Sequence, residues 1–107
     1  MMTFEETWNA IKQLCPSAEF KPGDHYGEMY VYLPGIRYPG AGAMCDVTSA
    51  GSRSQQEAAA RIWARLMDLN ALEPLYRDSG PAESLSGRRY ELLRWNGATW
   101  ESVGFDE

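Results

Sequence analysis

The chain has 107 residues, enough for one hydrophobic core, and its 44% apolar content excludes disorder throughout. Ten basic residues stand against fifteen acidic ones, a net charge of −5. That balance excludes the surplus of Lys and Arg with which proteins grip a phosphate backbone, so nucleic acid is disfavoured and a protein partner with a basic surface is favoured.

The first helix starts at a capping box, Thr3 with Glu6, in which hydroxyl and carboxylate each satisfy the other residue's backbone amide. Phe4, Trp8, Ile11 and Leu14 or Cys15 recur at helical spacing, and Pro16 stops the run. Short strands follow at Ala18 to Lys21 and at Glu28 to Leu33. The second sets Met29, Val31 and Leu33 on one face and Tyr30 and Tyr32 on the other. Pro34–Gly35 breaks it, a brief extended piece spans Ile36 to Tyr38, and Gly42 to Thr48 reads as another strand. The small residues Gly40 to Ala43 suit close chain approach better than a phosphate cradle, since no third glycine and no helix follow.

The second helix carries a second capping pair, Ser54 with Glu57. Ala58, Ala59, Ile62, Trp63, Leu66, Met67 and Leu69 fill one face, Arg61 and Arg65 lie on the other, and Pro74 ends the helix near Ala71 to Glu73. Residues 77–87, rich in Asp, Ser, Gly and Pro, read as a flexible connector. Asn96–Gly97 then predicts a type I′ hairpin, with Leu93 opposite Trp100 and with Leu93, Trp95 and Trp100 sharing a face. The predicted fold is α+β: an antiparallel sheet with two helices packed on one face (an α-β-β-β-α core over residues 1–76), the connector, and a C-terminal β-hairpin over residues 88–107, all one domain. The hairpin is expected to extend that sheet or to cover its tyrosine face.

His25 is the sole histidine and lies in a turn, Pro22 to Gly27, so any thiol mechanism would have to pair it with Cys15 or Cys45. Both cysteines sit in predicted elements and read as core thiols. Asp24, His25 and Glu28 share one turn with no second ligand pair, so no metal or other cofactor is expected, and the chain reads as a non-enzyme. No apolar run approaches the roughly 18 residues that span a bilayer, which gives the expectation of a cytoplasmic protein with no membrane partner. Candidate partner-binding residues are Tyr26, Tyr30, Tyr32 and Tyr38, the helix arginines Arg61 and Arg65, and Trp95 and Trp100 on the hairpin. A homodimer through an edge strand or the hairpin is left open.

Two resemblances bear on these residues. Gly40-Ala41-Gly42 and Gly51-Ser52-Arg53-Ser54-Gln55-Gln56-Glu57-Ala58-Ala59-Ala60 resemble the double-stranded RNA-binding domain, which implies an α-β-β-β-α order over residues 3–70 and a contact through the helix arginines. In that family the positions of Gln55 and Gln56 are normally phosphate-clamping lysines. Trp8, Glu57-Ala58-Ala59-Ala60-Arg61-Ile62 and Trp95-Asn96-Gly97-Ala98-Thr99-Trp100 are similar to small bacteriophage-encoded proteins of the α-β-α sandwich type. That likeness implies a phage-encoded interaction protein, such as an inhibitor of a host protein.

Overall fold

Thr3 opens helix α1 (Phe4–Leu14) as the sequence predicts: its Oγ1 accepts the Glu6 amide at 3.1 Å while Glu6 Oε1 accepts the Thr3 amide at 3.0 Å. Helix α2 (Gln55–Leu72) starts on half of such a box. Ser54 Oγ accepts the Glu57 amide, but the Glu57 carboxylate turns forward to Arg61 at 2.9 Å, one helical turn on. A computed structural model describes residues 1–82 and 87–106 and has the element order α1, β1 (Glu19–Pro22), β2 (Met29–Tyr32), β3 (Ile36–Pro39), β4 (Met44–Asp46), α2, β5 (Leu75–Pro81), β6 (Arg88–Trp95) and β7 (Trp100–Asp106). The class is α+β, with antiparallel pairing throughout.

The strands divide between two sheets. β1 and β2 form a separate hairpin, and the order β4-β3-β5-β6-β7 forms a five-stranded sheet. Ile11, Leu14, Ile62, Leu66, Ile36, Leu75 and Leu93 are all under 4% exposed and meet in one core, so both helices lie on one face of the large sheet. The small hairpin joins the same core through Val31, with Phe20 stacked on Trp8 at 4.5 Å.

Two expectations change, and the C-terminal hairpin takes one of its two expected placements. Residues 77–81, read as connector, belong to β5, which lies between β3 and β6; residues 83–86 of that stretch lie outside the described residues. Turn-forming side chains serve here as strand because β6 runs alongside them to Pro81, while β3 pairs only with Tyr76 and Arg77, and the ladder shifts register between Asp78 and Pro81. The C-terminal pair β6–β7 extends the large sheet through β5 and does not cover Tyr30 and Tyr32, which sit on the other sheet, Tyr32 being 42% exposed.

The Asn96–Gly97 turn is also not type I′. Only Gly97 has positive φ (100°), Trp95 faces Trp100, and a four-residue loop closes by the Asn96 amide donating to the Thr99 carbonyl at 3.1 Å. Asn96 Oδ1 accepts the amides of Ala98 and Thr99 at 2.8 and 2.9 Å, so the asparagine side chain organises the loop that its backbone was expected to shape. The register therefore opposes Leu93 to Ser102, and Val103 becomes the extra residue of a β-bulge between Leu92 and Leu93.

Candidate functional site

The most open aromatic feature is the loop joining β1 to β2. Pro22–Gly23 starts the turn, and Gly27 lets it close at φ 79°, a conformation that a side chain would strain. The Gly23 amide donates to the Glu28 carbonyl at 2.9 Å and the Glu28 amide to the His25 carbonyl at 3.0 Å. From outside the turn, Arg53 Nη1 donates to the Tyr26 carbonyl at 3.1 Å. Met29 and Ser52 exchange two backbone hydrogen bonds of 2.8 Å each, which tie β2 to the segment leading into α2. The loop is thus fixed at its base, across its neck and at its crown, yet the Tyr26 side chain is fully exposed.

Beside that ring lies a groove of about 540 Å³ with Phe20, Pro22 and Met29 along an apolar wall and Asp24, His25 and Glu28 on its rim. The register Phe20–Val31 and Pro22–Met29 explains the wall: these side chains share the face of the hairpin that turns toward the helices. The opposite face carries Tyr30 and Tyr32 with Lys21 and Glu19. There Lys21 Nζ stands 4.3 Å above the Tyr32 ring and 3.5 Å from Glu19 Oε1. The groove can seat an apolar side chain against Phe20, Met29 and the Tyr26 ring, with carboxylates at its border.

The other candidate residues go elsewhere. Tyr38 is half-buried on β3, where Arg65 stacks 5.2 Å over its ring and donates from Nη2 to its hydroxyl at 3.3 Å. Arg61 pairs with Glu57 and donates from Nη1 to the Gly51 carbonyl at 2.7 Å. Both arginines fasten α2 to neighbouring segments. Trp100 is 7% exposed, and its Nε1–H donates to the Ala10 carbonyl at 3.0 Å. With Trp95 it packs around Trp63, at centroid distances of 5.0 to 5.9 Å. Trp100 therefore belongs to the core and half-buried Trp95 packs against it, so much of the aromatic pattern that reads as an interface is satisfied internally.

Cys15 is buried at the end of α1, Cys45 is half-buried on β4, and His25 is exposed on the hairpin loop, so these groups occupy three separate places. Among the described residues no cluster of His, Cys, Asp or Glu is arranged to hold a metal ion, and no helix is long and apolar enough to cross a membrane.

Sequence reasoning missed Arg53, Gln13 and Asn70. Arg53 sets the Tyr26 loop, Gln13 Oε1 accepts the Trp100 amide at 3.3 Å, and Asn70 satisfies both backbone groups of Trp95. Their only signal is a polar side chain near a helix end or loop, which many surface residues share. The chain matches no protein-family model, no curated protein and no solved structure.

Proposed function

We propose that this is a non-enzymatic, acidic protein-interaction module that engages its partner through the β1–β2 loop, acting as a phage-encoded inhibitor of a host protein. The observation that carries the reading is the fully exposed Tyr26 ring on a loop anchored by Arg53 and by the Met29–Ser52 pair. A tyrosine ring offers a large, rigid contact area with a polar tip, and a loop ordered beforehand loses less entropy on binding. Tyrosine is also among the side chains that concentrate binding energy at interface centres.

The groove beside the ring offers room for a partner side chain, and the acids Asp24 and Glu28 on its rim favour a basic surface around that contact. The net charge of −5 adds long-range steering toward such a surface. The phage origin rests on the resemblance of the Trp8, Glu57–Ile62 and Trp95–Trp100 segments.

The test is affinity capture from lysates of candidate bacterial hosts with the wild-type chain and Tyr26→Ala side by side, followed by titration of the captured partner. A partner that saturates at one-to-one and binds Tyr26→Ala about 30-fold more weakly, the size of an interface hot spot, supports the reading. A partner held equally by both forms, or no saturable partner, overturns it.

A further inference from the structure

β7 is an edge of the five-stranded sheet, paired with β6 alone. The direction of its free backbone groups follows from bonds at its start. The Trp100 amide is held by Gln13 Oε1 on α1, and the Trp95 amide across from it is held by Asn70 Oδ1 on α2. Trp95 and Trp100 thus face each other with their backbone groups turned away, and alternation along the ladder gives Leu93 and Ser102 the same arrangement. On β6 those outward groups meet β5, since Leu75 opposes Leu93 and Arg77 opposes Glu91. On β7 the matching groups, at Ser102 and at Phe105 opposite Glu91, meet no strand among the described residues. Gln13 occupies this edge at its start and leaves the rest open.

The side chains along the open part have a distinct layout. Glu101 and Asp106 lie on the face away from the helices, opposite Arg94 and Tyr90. Phe105 lies on the other face, 52% exposed, under the Arg89 guanidinium at 4.2 Å, and Val103 in the bulge is 50% exposed. Two large apolar side chains and two carboxylates therefore border the outward backbone groups of Ser102 and Phe105, which no described strand meets.

We propose that β7 is a docking edge for an extended Lys/Arg-bearing segment of a partner protein, added as a further antiparallel strand. Backbone groups of Ser102 and Phe105 supply the ladder. Alternate basic side chains of the incoming strand lie beside Glu101 and Asp106, and its apolar side chains lie beside Phe105. This surface belongs to a different sheet from the Tyr26 loop, and the proposal stands independently of it.

Charge selects this occupant over a second copy. The self-pairing register that uses the free groups sets Ser102 against Phe105 of the second copy. It thereby puts Glu101 against Asp106 at both ends of the interface, between chains that each carry −5. The bulge acts in the same direction: it separates the free groups by three residues where a regular edge has two, which a single flexible strand can follow better than the edge of another sheet.

The probe is a blocked octapeptide alternating Lys and Val, titrated to millimolar concentration into the wild-type chain at low salt, with amide hydrogen exchange and chemical shifts followed by NMR; a Glu–Val octapeptide is the control. The expected result is saturable binding of the Lys–Val peptide, exchange at the Ser102 and Phe105 amides slowed about tenfold at saturation, and severalfold weaker binding at about 0.3 M salt. Phe105→Pro, which removes an amide the β6 ladder does not use, abolishes the binding, whereas Tyr26→Ala leaves it unchanged. Equal binding of the Glu–Val peptide, no binding, or binding that leaves both amides unprotected overturns the proposal. So does a concentration-dependent dimer that protects the same two amides without peptide.

Discussion

The Asp78 carboxylate on β5 receives both Nε and Nη2 of Arg88 on β6, at 3.0 and 2.8 Å, and its Oδ1 also accepts the Gly80 amide at 2.9 Å. These bonds sit where the β5–β6 ladder shifts register, so one carboxylate bridges the irregularity that the backbone pairing leaves. Hydrogen bonding from Arg88, with help from the Gly80 amide, holds the Asp78 carboxyl below the ordinary carboxylate range. Glu91 is lowered likewise, first by Arg77 and then by the Ser102 hydroxyl.

Lowered native pKa values mean that the unfolded chain binds protons more readily. The stabilisation is then complete above the unfolded value near 4 and is lost as pH falls through the lowered native values. Urea midpoints followed by tryptophan fluorescence should hold steady from about pH 7 to 5 as far as these two groups are concerned, and decline below about pH 4. In Asp78→Asn/Glu91→Gln that acid-side decline is shallower and stability at neutral pH is lower. Superimposable pH profiles for the two proteins would remove these carboxylates from the account.

Asn70, near the end of α2, takes the place of a missing strand residue. Its Oδ1 accepts the Trp95 amide at 3.0 Å and its Nδ2 donates to the Trp95 carbonyl at 3.4 Å, two residues beyond the last β5–β6 partner, Leu75–Leu93. Asn70→Ala should cost about 1–3 kcal/mol, because half-buried backbone groups lose their partners. Asn70→Asp keeps the acceptor and should lose less. Amide exchange at Trp95 checks this directly: it accelerates in Asn70→Ala and stays slow in Asn70→Asp.

Both helices are legible in the sequence because each is marked at both ends, by Thr3 and Pro16 and by Ser54 and Pro74, around an apolar stripe. β5 is not legible, since Asp78-Ser79-Gly80-Pro81 has the composition of a turn. What makes it a strand is the presence of β6 along its length, with β3 joining at Tyr76 and Arg77, a tertiary effect with no local trace. The candidate site divides in the same way. Tyr26 is readable as a loop residue from its flanking glycines, but the anchor that holds it comes from Arg53, 27 residues away. Trp100 is buried and Trp95 half-buried against the core, and an alternating aromatic face looks the same in sequence whether it meets a partner or the chain's own helices.

Trp100 should therefore act as a stability residue. Its ring closes the core against Trp63 and Trp95, and its indole N–H satisfies the Ala10 carbonyl on α1. Trp100→Ala removes both contributions and should cost about 3–5 kcal/mol. Trp100→Phe keeps an aromatic in place and should cost less, chiefly through the lost hydrogen bond and the smaller ring. Chemical denaturation of the two variants gives the order, and equal losses would mean that ring packing does not distinguish them.

The turn between β3 and β4 offers a test of close approach. Gly40 donates its amide to the Ala43 carbonyl at 2.8 Å, and a β-carbon built on Gly40 would lie 2.5 Å from Cys45 Sγ. The thiol is only one bond beyond its own β-carbon, so it cannot swing aside as the end of a long side chain would. Gly40→Ala should then destabilise by about 1–3 kcal/mol through overpacking. Removing the sulfur opens the space, so Gly40→Ala in a Cys45→Ala background should cost much less. A double-mutant cycle on urea midpoints reads the coupling, expected at about 1 kcal/mol or more. Additive losses would show that the penalty at Gly40 arises from its backbone and not from the sulfur.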